Sequence, residues 1–236
     1  MKGLDFLLPP RCTGCSVKVA GHGFLCSECW QNLQPLSAPF CKTCALPFEF
    51  ETEDESLCAS CMASPPDFDW ARAAVLYEDL GRSLVLQLKH SGTSAVVPVM
   101  VQMMSTALMG REYDVVVPVP LHRSRFIQRR FNQSILLAKR LAQHTDHPVA
   151  AFALKKKKAT ESQGGLNRKE RFRNVGGVFK VLDEQKASIA GKRVLLVDDV
   201  LTTGATASSC SKALKKAGAV EVGVIAFARV GQPVKG

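Results

Sequence analysis

From Ala71 onward, short runs of β-branched and small apolar residues alternate with stretches whose apolar positions recur at three and four residues. The runs ARAAVLY, YDVVVPVP (113–120), PVAAFAL, GGVFKV, RVLLVDD and VEVGVIAFARV read as strands. LGRSLVLQLKH reads as a helix with Leu84, Val85 and Leu88 on one face, and SAVVPVMVQMMSTALM as a second helix. NQSILLAKRLAQ is amphipathic, with Ile135, Ala138, Leu141 and Ala142 on the apolar side and Lys139 and Arg140 on the wet side. Strands alternating with helices predict an α/β fold: a mainly parallel sheet covered on both faces. In such sheets ligands bind beyond the carboxyl ends of the strands.

Residues 91–110 carry no charge over 20 positions, but Pro98, Gln102 and several Ser/Thr predict a buried helix rather than a membrane span. The opening MKGLDFLLPPRC has too short an apolar run for a signal peptide, and Asp5 interrupts it. A cytoplasmic protein without a membrane span is the expectation.

Before Ala71 the chain is organised by cysteines. Eight of nine fall into four C-x-x-C pairs: Cys12/Cys15, Cys26/Cys29, Cys41/Cys44 and Cys58/Cys61. Two thiolates at this spacing reach one tetrahedral Zn²⁺ when the backbone turns between them, so four pairs make two Cys₄ sites. A disulfide framework would need an oxidising compartment, and no export signal is apparent. The sites are expected to be structural, because four thiolates leave no open position for a substrate. Sequential pairing is the simpler layout; a cross-paired one stays open. The domain reading is 1–64 for the double zinc ribbon and 71–236 for the α/β domain, with the irregular ASPPDFDW (63–70) as junction.

One stretch carries the chemistry. In VLLVDDVLTTGAT (194–206) a buried strand runs into Asp198 and Asp199, then into Thr202-Thr203-Gly204-Ala205-Thr206. A helix follows, with Ala207, Cys210, Leu214 and Ala217 on its apolar face and Gly218 as its stop. A hydroxyl-rich glycine loop at a helix N-terminus suits an anion. The carboxylates beside it would repel phosphate and suit hydroxyl donors such as a ribose diol, or a ribose-bound Mg²⁺. Diol and phosphate together describe a ribose 5-phosphate unit.

Charge adds a second theme. The net charge of +10 is split: residues 1–70 total −5 and the remainder +15. Residues 121–173 hold 14 Lys/Arg against 3 Asp/Glu, in the clusters HRSRFIQRR and KKKK…NRKERFR. Two basic runs flanking a phosphate site suggest contact with pyrophosphate or a nucleic-acid backbone. The candidates are Arg123, Arg125, Arg129, Lys155, Lys156, Lys157, Lys158, Arg168 and Arg171.

The segment 194–206 resembles the phosphoribosyl pyrophosphate (PRPP) signature of type I phosphoribosyltransferases. That resemblance implies that Asp198 and Asp199 hold the ribose hydroxyls and that Thr202, Thr203, Gly204, Ala205 and Thr206 cradle the 5′-phosphate, with Mg²⁺ on the pyrophosphate. The four cysteine pairs, LKHSG (88–92), VVPVPLHRSRFIQRRFNQS (116–134), TESQGGLNRKERFRNV (160–175) and LLVDDVLTTGAT together resemble the competence protein F family over nearly the whole chain. Arg130 stands where that family usually has Gly, and a lysine run stands where an arginine often precedes Thr160. The resemblance implies DNA uptake or utilisation, with single-stranded DNA and an uptake or helicase protein as candidate partners. The alternative is an active phosphoribosyltransferase of nucleotide metabolism, for which no acceptor pocket or general base stands out.

Overall fold

The computed structural model describes residues 9–52, 56–90, 94–121, 131–156 and 178–231. Its cysteine-rich segment folds as the same short unit twice. The Cys12 N–H donates to the Val17 carbonyl at 2.7 Å, and the Cys41 N–H to that of Leu46 at 2.8 Å. The residue after each second cysteine is left-handed, Ser16 at φ 66° and Ala45 at φ 53°. An antiparallel bridge closes each hairpin, Arg11 with Lys18 and Phe40 with Pro47. In the later cysteine pair of each unit the first cysteine sits at the N-cap of a short helix and the second lies within it, α1 (Ser27–Gln31) or α2 (Ala59–Ala63).

The pairing is sequential. Cys12, Cys15, Cys26 and Cys29 form one cluster and Cys41, Cys44, Cys58 and Cys61 the other, with the sulfurs of each within 4.8 Å of one another. Cys15 and Cys26 Sγ lie 3.6 Å apart, as do those of Cys44 and Cys58. A tetrahedral Zn²⁺ with Zn–S of about 2.3 Å needs S···S separations of about 3.8 Å, so both clusters fit the ion. Backbone N–H groups point at the sulfurs: Cys26 N–H to Cys12 Sγ at 3.2 Å, and Cys58 N–H to Cys41 Sγ at 3.3 Å. Such donors favour thiolate over thiol. In the first cluster Cys15 is exposed and Cys26 half-buried, whereas all four cysteines of the second are buried.

Four strands build the main sheet. In chain order the elements are β1 (Trp70–Leu76), α3 (Asp79–His90), α4 (Val97–Ala107), β2 (Val115–Pro118), α5 (Gln133–Thr145), β3 (Leu154–Lys156), β4 (Phe179–Val181), β5 (Arg193–Leu201), α6 (Ala205–Lys216) and β6 (Glu221–Arg229). The order across the sheet is β1-β6-β5-β2, with every neighbouring pair parallel. The two-residue period sends Val194 and Leu196 of β5 to one face and Leu195 and Val197 to the other, all buried. On the first face lie α6, the β3–β4 pair and the second cysteine cluster. On the other lie α3, α4 and α5, whose Leu84, Val85, Leu88, Leu137, Ala138 and Leu141 are fully enclosed. Leu137, not Ile135, joins the apolar face of α5, because Ile135 is only half-buried. Cys210 is enclosed as a core residue.

Two other elements differ from expectation. PVAAFAL is not one strand of the main sheet: Val149 bridges Val116, a turn closes from the Ala153 N–H to the Ala150 carbonyl, and only Leu154–Lys156 pairs, antiparallel to β4. The reason is local, since Phe152 is left exposed and the in–out alternation is lost there. β5 is longer than its apolar run. Asp198, Val200 and Leu201 keep their pairing with Ala226, Ala228 and Arg229, so the two acids sit inside the strand rather than at its end.

The cysteine units are joined to the outer edge of β1. Pro35 bridges Val75, Leu36 N–H donates to Ala74 O, and Leu76 N–H donates to Gln34 O. This covers an edge strand that would otherwise expose unpaired backbone groups. Among the described residues, no helix is long and apolar enough to cross a membrane. Metal analysis should return about two zinc ions per chain. Titration with a chelator should release them in two phases, the first from the more exposed Cys12–Cys29 cluster with the fold retained, the second with loss of cooperative unfolding. A single phase, or fewer than two ions, would contradict the assignment.

Candidate functional site

The carboxyl ends of β5 and β2 open into a cavity of about 270 Å³. Its wall takes Asp198 and Asp199 from β5, Thr202 and Gly204 from the following turn, Thr206 from the start of α6, and Gln133 and Ser134 from the start of α5. Lys89 from α3 and Lys156 from β3 supply its described cations. The predicted residues therefore converge, with two exceptions. Thr203 and Ala205 are not in the wall; the Thr203 hydroxyl instead lies 3.5 Å from the Ala205 N–H. Gly204 is the N-cap of α6 at φ +79°, a conformation that L side chains rarely adopt, which explains a glycine at this point of the loop.

The basic candidates divide. Lys156 reaches the cavity, and its ammonium also lies 5.8 Å from the centre of the Phe179 ring. Lys155, one residue earlier in the same strand, is exposed and outside the wall. Arg123, Arg125, Arg129, Lys157, Lys158, Arg168 and Arg171 lie outside the described residues.

Each acid is held by specific partners. Asp198 Oδ1 accepts the Ser134 hydroxyl at 3.0 Å and the Asp199 N–H at 2.9 Å. Asp199 Oδ2 pairs with the Lys89 ammonium at 3.1 Å. Burial, and then the adjacent Asp199 charge, push the Asp198 carboxyl up to about 7. The Asp199 N–H, the Lys89 charge and the Ser134 hydroxyl act in the opposite direction. Among the described residues, Asp198 Oδ2 and Asp199 Oδ1 have no hydrogen-bond partner. Two acceptor oxygens, one per acid, are what a vicinal diol requires.

Sequence reasoning left Lys89 unassigned and passed over Gln133 and Ser134. Asn132 explains how these two arrive at the cavity. It caps α5, accepting the Ser134 N–H at 3.0 Å, while its own amide donates to the Val119 carbonyl at 3.1 Å just beyond β2. Gln133 and Ser134 are thereby fixed where β2 ends. Gln133 is buried, and among the described residues its Nε2 has no partner. An unpaired amide donor in a cavity wall is costly unless a ligand completes it. The available signal was the polar triplet Asn132-Gln133-Ser134 opening an otherwise apolar helix face.

Comparison with known proteins gives two domain matches. The double zinc ribbon domain model matches residues 3–62, and the phosphoribosyl transferase domain model matches residues 132–235. Competence protein F of Haemophilus influenzae is 29% identical over 228 residues, covering 93% of this chain and 96% of its own. The DNA utilization protein YhgH of Escherichia coli is 27% identical, covering 94% and 98% respectively. Competence protein ComFC of Bacillus subtilis is 23% identical over 82% of this chain and 79% of its own. Among solved structures, glutamine PRPP amidotransferase from B. subtilis aligns with 55% of this chain and 25% of its own, at 26% identity and a TM-score of 0.38. With a double zinc ribbon match ahead of a phosphoribosyl transferase match, the chain is similar to competence protein F and to YhgH along nearly its whole length.

Proposed function

We propose that this is a DNA-uptake or DNA-utilisation protein whose phosphoribosyltransferase-type cleft binds PRPP or a related ribose 5-phosphate ligand. In this reading residues 1–64 form the metal module and residues 71–236 the ligand domain. The observation that carries it is the convergence of both acids and the Gly204 turn on one cavity. The free oxygens of Asp198 and Asp199 accept the two ribose hydroxyls. The N–H groups opening α6, with the Thr202 and Thr206 hydroxyls, receive the 5′-phosphate. Lys89 and Lys156 lie where a pyrophosphate would need positive charge, and the orphan Gln133 amide has a ligand oxygen to donate to. Mg²⁺ bound with the ligand would neutralise pyrophosphate charge. The DNA role is supported by the names borne by the relatives and by the basic clusters of residues 121–173.

The ligand reading is tested by thermal unfolding. PRPP should raise the midpoint only when Mg²⁺ is present, and the double variant Asp198→Ala, Asp199→Ala should lose the shift. A wild-type protein indifferent to PRPP with Mg²⁺ would overturn the site. Pyrophosphate release in a screen of bases would add turnover to binding.

Asp198 also makes binding depend on pH. It accepts the diol as a carboxylate, and its native pKa lies near 7, above the ordinary carboxylate range. Affinity should therefore fall as pH drops through about 7. The same raised pKa penalises the ligand-free fold above pH 7 and relieves it below. Asp198→Asn should thus melt higher than wild type at pH 8, an advantage that shrinks toward pH 5, while ligand affinity is lost. A variant less stable than wild type at pH 8 would contradict the burial account.

For DNA, affinity for a single-stranded oligonucleotide should drop about tenfold or more between 50 and 200 mM salt, and should weaken when Lys155 to Lys158 are neutralised. Absent or salt-independent binding would leave an adaptor that docks a partner protein.

A further inference from the structure

Arg229, the last residue of β6, is only 5% exposed. Its guanidinium gathers backbone carbonyls from three places. Nε donates to Cys44 O at 2.9 Å; Nη1 donates to Leu201 O at 3.1 Å, to Thr202 O at 2.6 Å and to Val230 O. Nη2 lies 3.8 Å from Cys44 Sγ. One buried side chain therefore touches a cysteine of the second cluster and the two residues that lead β5 into the phosphate turn. No carboxylate is among its contacts in the described residues.

A buried cation without a counter-charge is expensive. The counter-charge at hand is the metal site itself, because a zinc ion with four thiolates carries a formal charge of roughly −2. With the metal bound, the guanidinium is both neutralised and saturated with acceptors. Without the metal that counter-charge is lost, and the guanidinium is held only by the carbonyls it gathers.

We propose that Arg229 is a positioning residue that couples the second Cys₄ site to the phosphate turn, so that metal at Cys41, Cys44, Cys58 and Cys61 sets the affinity of the cleft for a ribose 5-phosphate ligand. It touches neither ligand nor metal. It fixes the carbonyls of Leu201 and Thr202, and with them the direction in which the following N–H groups point. The proposal rests on the cleft reading given above. Coupling of this kind is reciprocal: ligand in the cleft must be felt at the metal.

That reciprocity gives a test that does not depend on turnover. The full chain is loaded with ¹¹³Cd, which should give two resonances, the more exposed cluster being identified by its faster loss to chelator. PRPP with Mg²⁺ should move the resonance of the buried cluster and leave the other in place. By calorimetry Arg229→Met, with two metals retained, should bind PRPP about tenfold or more weakly, with no response at the buried resonance. Arg229→Lys keeps the charge but cannot span the same carbonyls, and should fall between the two; it also serves if the Met variant does not fold. PRPP binding to wild type with both resonances unmoved, or binding by Arg229→Met as tight as by wild type, overturns the coupling while leaving the ligand site intact. Failure of the wild type to bind PRPP removes the ligand site and the coupling with it.

Discussion

Two carboxylates on consecutive residues of a buried strand repel each other, and the cleft is arranged around that repulsion. Asp198 and Asp199 lie within β5, between β2 and β6, where water is scarce and charge is costly. Three donors make them tolerable: the Ser134 hydroxyl from α5, the Asp199 N–H from β5 itself and the Lys89 ammonium from α3. Those partners tie the start of one helix and the end of another to the centre of the sheet. Among the described residues they leave one oxygen of each acid open, and the proposed ligand would complete both. A site built on such frustration is expected to give up stability for binding.

The metal clusters hold unequal places in this scheme. The Cys12–Cys29 cluster stands at the periphery with Cys15 exposed. The Cys41–Cys61 cluster belongs to the same apolar core as α6, Phe68 and one face of β5 and β6. A duplicated unit has thus been used in two ways. One copy extends the surface, and the other is built into the domain that carries the cleft. Arg229 joins that second copy to the turn after β5, so the ribbon and the cleft share one buried framework.

Much of this was legible in the sequence where a period or a spacing was long enough to be read. The helical faces of α3 and α6 follow from Leu84, Val85 and Leu88 and from Ala207, Cys210 and Leu214. The four C-x-x-C pairs announce two metal sites, and their sequential grouping is the one that the hairpins produce. The acids and the glycine turn could be placed beside one another because they are neighbours in the chain. What escaped was set by tertiary approach. Lys89 meets Asp199 only because α3 ends over the carboxyl edge of the sheet, a distance no spacing encodes. β4 falls within GGVFKV, but of PVAAFAL only Leu154 enters β3, whose three residues are too few for alternation to show. β5 read as ending at its acids because charged residues rarely continue a buried strand, yet it runs to Leu201. Arg229 falls in the run VEVGVIAFARV, which marks a strand but does not show that this residue is buried among carbonyls.

In the proposed function the paired acids and the glycine turn hold two ends of one ligand. The most direct measurement is a crystal structure with PRPP and Mg²⁺ bound. The 2′- and 3′-hydroxyls are expected on Asp198 and Asp199, the 5′-phosphate at the N–H groups of Gly204 to Thr206, and the Gln133 amide within hydrogen-bond reach of a ligand oxygen. A phosphate bound elsewhere, or a ligand whose hydroxyls avoid both acids, would contradict it.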